Sequence, residues 1–134
     1  MKNLSAVKRI LAVLSLSLLS FVTAAEGAKV TRLMHKELRD LVNKEGLMVM
    51  VEYAPGMSSK KHRHNAHSFI YVLEGSIIMQ VSGGDPVTLE AGQTFYESPK
   101  DIHLVSKNAS RTRSAKFIVF SLNEKNSPVV IPVP

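Results

Sequence analysis

The chain has 134 residues, enough for one small domain with a single core and too few for two. Cysteine is absent, which excludes a disulfide framework, thiolate metal ligands and a lipid-modified cysteine. Of the formal charge of +6, Lys2, Lys8 and Arg9 supply three before the first acidic residue, Glu26; the remaining +3 is ordinary for a soluble domain and gives no argument for a nucleic-acid partner.

Met1 to Arg9 is a basic leader, followed by an unbroken apolar or small-residue run from Ile10 to Val22 and by T-A-A at Thr23 to Ala25. This is the pattern of a secretory signal peptide cleaved after Ala25. The apolar run falls short of the about 20 residues a membrane span needs. The expectation is therefore a signal peptide over 1–25 and one domain over 26–134, periplasmic or secreted, with no stable membrane anchor after cleavage.

Lys29 to Leu33 reads as a first strand. Met34 to Glu45 is ambiguous: Met34, Leu38, Leu41 and Val42 recur at helical spacing and Gly46 could close a short helix, while an irregular loop fits equally. Leu47 to Tyr53 is a strand that Pro55-Gly56 ends, with Met48, Met50 and Glu52 on one face and Val49, Val51 and Tyr53 on the other. Ser68 to Leu73 and Ser76 to Val81 read as a hairpin turned by Glu74-Gly75. Ser82-Gly83-Gly84-Asp85 is a tight-turn signal. Pro86 to Leu89, Thr94 to Glu97, Ile102 to Ser106 and Phe117 to Leu122 follow as further strands. The tail carries Pro128, Pro132 and Pro134, which bars it from the centre of a sheet. Short strands with a turn every 8–12 residues predict an all-β sandwich or barrel.

The chemistry concentrates between Gly56 and Gly75, G-M-S-S-K-K-H-R-H-N-A-H-S-F-I-Y-V-L-E-G. Residues two apart on a strand share a face, so His62 and His64 present two imidazoles side by side, the start of a metal site. His67 has the other parity and joins them only through a bend or bulge at Asn65-Ala66. The competing reading is a solvated basic loop built on Lys60, Lys61 and Arg63. His103, in a turn-rich stretch downstream, favours the metal.

The same stretch resembles the first motif of the cupin family: a glycine, five residues, H-x-H, a glutamate, and a closing glycine. Gly56, His62, His64 and Gly75 match, while the glutamate slot holds Ser68. The second motif is matched by Gly92 and His103. Ser98 and Lys100 stand in its proline and glycine slots, with Pro99 beside them. Lys107 stands in its asparagine slot, with Asn108 one place late. The resemblance implies a small jelly-roll β-barrel whose interior holds one divalent transition metal (iron, nickel, copper, zinc or manganese) on His62, His64 and His103. His67 is a candidate fourth ligand in place of the missing glutamate. It also implies a homodimer paired through sheet edges.

A site of histidines alone is neutral and leaves a bound metal its full charge, which favours a small organic anion and disfavours hard metals such as manganese. Lys60 and Lys61 either steer such an anion or form a solvated rim. Glu97 is the carboxylate nominated as general base and, like Gln93, a residue that could support a ligand; Tyr96 is a second catalytic candidate. Asn108-Ala109-Ser110 matches a glycosylation sequon. Three functional classes remain, the first two being a metal-dependent oxygenase, isomerase or lyase, and a non-catalytic module that binds a metabolite or metal. A barrel that has lost its metal and serves as a structural unit is the third.

Overall fold

The structure, a computed structural model, describes residues 28–134. The predicted signal peptide lies outside the described residues. Ten strands and no helix make up the described chain: β1 (Lys29–Glu37), β2 (Lys44–Tyr53), β3 (His62–Arg63), β4 (Ala66–Glu74), β5 (Ser76–Val81), β6 (Val87–Glu90), β7 (Thr94–Glu97), β8 (Ile102–Asn108), β9 (Ala115–Glu124) and β10 (Ile131–Pro132). They form two five-stranded antiparallel sheets, ordered β1-β2-β9-β4-β7 and β10-β3-β8-β5-β6. The predicted all-β jelly roll is the fold observed.

Met34 to Glu45 holds no helix, and the expected loop is confined to Leu38 to Asn43. Strand β1 runs through it to Glu37, pairing Met34 with Met48 and Glu37 with Glu45, after a register shift between Arg32 and Met34. Asn43 takes the left-handed conformation that ends the turn into β2, and Gly46 lies inside that strand. The helical spacing misled because these apolar residues do not enter the core: Met34, Leu41 and Val42 are exposed. Backbone pairing with β2, which no local period records, fixes the segment.

Strict alternation carries the core. Leu47, Val49, Val51 and Tyr53 of β2 are buried, as are Ile70 and Val72 of β4, and they pack with Ile77 and Met79 of β5, Leu89 of β6 and Phe117 of β9. Each fully buried aliphatic chain contributes about 1.5–3 kcal/mol of transfer free energy. Met48 and Met50 take the opposite parity and are only partly buried, whereas Met79 is buried.

Gly75 closes the β4–β5 hairpin with φ of 71°. A Cβ there would lie 2.5 Å from the Ser114 carbonyl oxygen, so both the conformation and the close approach of the neighbouring chain require glycine. The proline-rich tail joins only as an edge: Ile131 and Pro132 pair with Arg63 and His62 of β3.

Across the first sheet the inner face changes character row by row. One row sets Val51, Phe117 and Val72 side by side; the next sets Val49, Val119, Ile70 and Phe95. The row beyond is Leu47, Ser121, Ser68 and Glu97, and the last pairs Asn123 with Ala66. Ser68, Glu97, Ser121 and Asn123 are all buried. The barrel is thus apolar at one end and lined with oxygen atoms at the other.

Candidate metal centre

Opposite those oxygens the second sheet brings its histidines. His62 on β3 is register-paired with His103 on β8, so the two imidazoles stack with centroids 4.8 Å apart and planes within 3°. His64 follows β3 on the same parity and meets both rings edge-on, at 4.9 and 5.5 Å. One ligand nitrogen from each of the three lies within 4.8 Å of the others, a group that could hold a metal ion.

The tautomers suit that role. His62 Nδ1–H donates to the Lys60 carbonyl at 2.8 Å, and His64 Nδ1–H donates to the carbonyl of Val129 in the tail. Each backbone acceptor fixes the proton on Nδ1 and leaves Nε2 with a bare lone pair, as a metal-bound imidazole requires. Burial holds His62 below the ordinary imidazole range, partly offset by its bond to Lys60 and reinforced by the neighbouring His103 and His64. That shift favours the neutral imidazole, the form that binds metal.

His103 is buried and makes no hydrogen bond through either ring nitrogen. An orphaned buried imidazole costs free energy that the fold recovers only if something else uses the lone pair. Its Nε2 lies 2.7 Å from Glu97 Oε2, a hydrogen-bonding separation without hydrogen-bonding alignment. Glu97 Oε2 also stands 3.8 Å from His64 Nε2. The residues present therefore fit a divalent metal, with nitrogens from β3, from the residue just after it and from β8 converging on a carboxylate from the other sheet.

The other expected site residues lie elsewhere. His67 is not a fourth ligand: the strand parity of β4 turns it outward, exposed, with its Nδ1 2.6 Å from the Tyr96 hydroxyl. Asn65-Ala66 makes no bend that reverses this, because Ala66 already pairs with Asn123 in the sheet. Tyr96 is exposed on the same outer face, against Phe69, and cannot reach the centre. Gln93 caps its own turn by accepting the Glu90 N–H. Arg63 is outside the cavity and donates to Asn65 Oδ1 at 2.5 Å. Glu97, which the sequence offered as a general base or as a support for a ligand, stands directly against the histidines, 2.7 Å from His103 Nε2.

A cavity of about 1050 Å³ opens at this end of the barrel. The histidine triad, Glu97, Ser68 and Ser121 line its polar part, Val49, Val51 and Phe117 its apolar wall, and the exposed Lys60 and Lys61 its mouth. Tyr53 stands in the wall with its hydroxyl 2.9 Å from Ser59 Oγ and 2.7 Å from Ser106 Oγ. The carbonyls of Lys60 and Val129, which set the histidine tautomers, were not legible in the sequence. No side-chain type marks a backbone acceptor.

The sequence profile of the Cupin domain family matches residues 49–121, more than half of the chain. No curated protein sequence matches it. Among solved structures, an oxalate oxidase shares 23% identity at a TM-score of 0.63, over 84% of this chain and 58% of its own. A conserved protein with a double-stranded β-helix domain from Klebsiella pneumoniae shares 17% at 0.60, over 80% and 85%. The DMSP lyase DddQ from Ruegeria pomeroyi shares 16% at 0.59, over 66% and 43%, so this chain spans less than half the length of that lyase. Together the profile, the two-sheet barrel and the histidines converging inside it settle the family: the chain belongs to the cupins.

Proposed function

We propose that this chain is an exported, metal-dependent cupin that acts on a small organic anion at one divalent transition metal held by His62, His64 and His103. The observation that carries the reading is the buried, unpartnered imidazole of His103, set beside two imidazoles whose Nδ1 protons are already committed to backbone carbonyls. When bound, such a metal supplies Lewis acidity and coordination positions open to a substrate. The chain's own residues do the rest. Lys60 and Lys61 at the mouth raise the local concentration of an anion. The apolar wall excludes water around it, and the Ser68 and Ser121 side chains on the cavity floor offer hydroxyls to its polar groups.

Solved neighbours support this substrate class: the oxalate oxidase fold has been captured with glycolate, a small carboxylate, and a DMSP lyase shares the barrel. The open cavity favours an enzyme or ligand-binding site over a closed structural one. A homodimer is part of the proposal. The outer face of the first sheet, where Phe69, Tyr71, Tyr96 and Phe120 are exposed together, is the surface that supports it.

One preparation tests these points through separate readouts. Full-length protein expressed without a histidine tag is expected in the exported fraction beginning at Glu26, dimeric by light scattering, and with about one divalent metal per chain by elemental analysis. Small carboxylates should then perturb the spectrum of the metal-loaded protein, and a Lys60→Ala/Lys61→Ala variant should weaken that response at low salt. Protein that stays metal-free after exposure to iron, nickel, copper, zinc and manganese would sink the metal reading.

A further inference from the structure

We propose that Glu97 is the carboxylate ligand of this centre, supplied from the strand beside the one on which the family motif places its glutamate. The inference rests on the metal reading above and deepens it. In the motif the glutamate slot is Ser68 on β4, and its directly paired neighbour on β7 is Glu97. Residues opposite one another on an antiparallel pair share a face and start about 5 Å apart at Cβ. A glutamate side chain spans that offset, so the carboxylate reaches one region of the barrel from either strand. Ser68 then has a physical reason: the small side chain leaves room for Glu97 to cross in front of it. Both residues are buried, at 2% and 4% exposure.

Three observations favour a ligand over a general base or an ion-pair partner. First, the 2.7 Å approach of Glu97 Oε2 to His103 Nε2 lacks hydrogen-bond alignment, so the two atoms are neighbours without being donor and acceptor. Second, the 2.7 and 3.8 Å separations from the His103 and His64 nitrogens bracket the roughly 3.0–3.4 Å expected between ligand atoms that share a metal at about 2.1 Å. Third, the only cationic partners within ion-pair distance of Glu97 among the described residues are those two histidines. A buried carboxylate without a lysine or arginine needs another positive charge. A divalent metal supplies it while leaving the imidazoles neutral. The bound centre then carries one positive charge in place of two, still attractive to an anion and more hospitable to harder metals.

The test is a cobalt(II) titration of the mature protein, read by affinity and by visible absorption, on wild type, Glu97→Ala and Glu97→Ala/Ser68→Glu. Glu97→Ala should lose more than about 100-fold in affinity, beyond the roughly 10–100-fold of removing an outer-shell partner, and its absorption bands should change. The double variant should recover to within about tenfold of wild type, because the carboxylate returns from the adjacent strand. Unchanged bands in Glu97→Ala would overturn the assignment whatever the affinity, since the metal's own ligands would then be intact. A double variant with a normal unfolding transition and no recovery would overturn it as well. Wild type that binds no cobalt defeats the metal reading itself, a separate result from either.

Discussion

Replacing His103 with alanine is expected to abolish stoichiometric metal binding and to leave the barrel folded. His103 supplies the most deeply buried of the three imidazoles, and its ring nitrogens have no hydrogen-bonding partner to lose. The affinity should fall by well over about 100-fold, since outer-shell losses alone cost roughly 10–100-fold. Stability of the metal-free protein should change by no more than about 1 kcal/mol, because the packing lost with the ring is offset by removing an unsatisfied buried polar group. Elemental analysis and urea unfolding of metal-free wild type and His103→Ala measure the two quantities. A variant that keeps its metal, or that unfolds without denaturant, contradicts the assignment of this histidine to function over packing.

Asn108→Ala should do the reverse, costing about 3–5 kcal/mol of stability. Its side chain is buried at the end of β8, where Nδ2 donates to the carbonyls of Tyr53, Ala54 and Arg113 at 3.3, 3.0 and 2.7 Å. Its Oδ1 accepts the Ser110 N–H at 2.8 Å. Alanine leaves all of these backbone groups without that partner. Asn108→Asp is expected to destabilise comparably, because a carboxylate cannot donate to three carbonyls. The damage reaches the site, for Gly56 and Met57, in the segment leading to His62, are tied to the same loop through Ser110 O and the Asn108 N–H. Urea unfolding checks the energy; loss of metal affinity in a still-folded fraction checks the coupling. Because Nδ2 is engaged inside the fold, the glycosylation sequon at this position is not presented by the folded protein.

Much of the fold was legible because it is local. The alternation in β2 and β4 announced which residues enter the barrel, and the turns at Gly75 and Gly83-Gly84 delimited the hairpins. Where local signals conflicted, at Met34 to Glu45, the sequence lost its authority. Exposed apolar residues there mimic a helical stripe, and only pairing with β2 makes Met34 to Glu37 a strand.

The centre divides along the same line. By itself the sequence determined that His62 and His64 share a face, that His103 can join them, and that the chain resembles the cupins. These follow from the period of a strand and from motif spacing. It even held the reason against His67, whose parity points it away. What it could not decide was the source of negative charge. Glu97 lies 29 residues from Ser68 along the chain, and the two meet only because β7 pairs with β4 at the edge of the first sheet. Likewise, the Val129 carbonyl reaches His64 only when the tail docks beside β3. Register between strands distant in sequence is chosen by the packing of the whole barrel, so the tertiary structure alone decided which oxygen atoms face the three histidines.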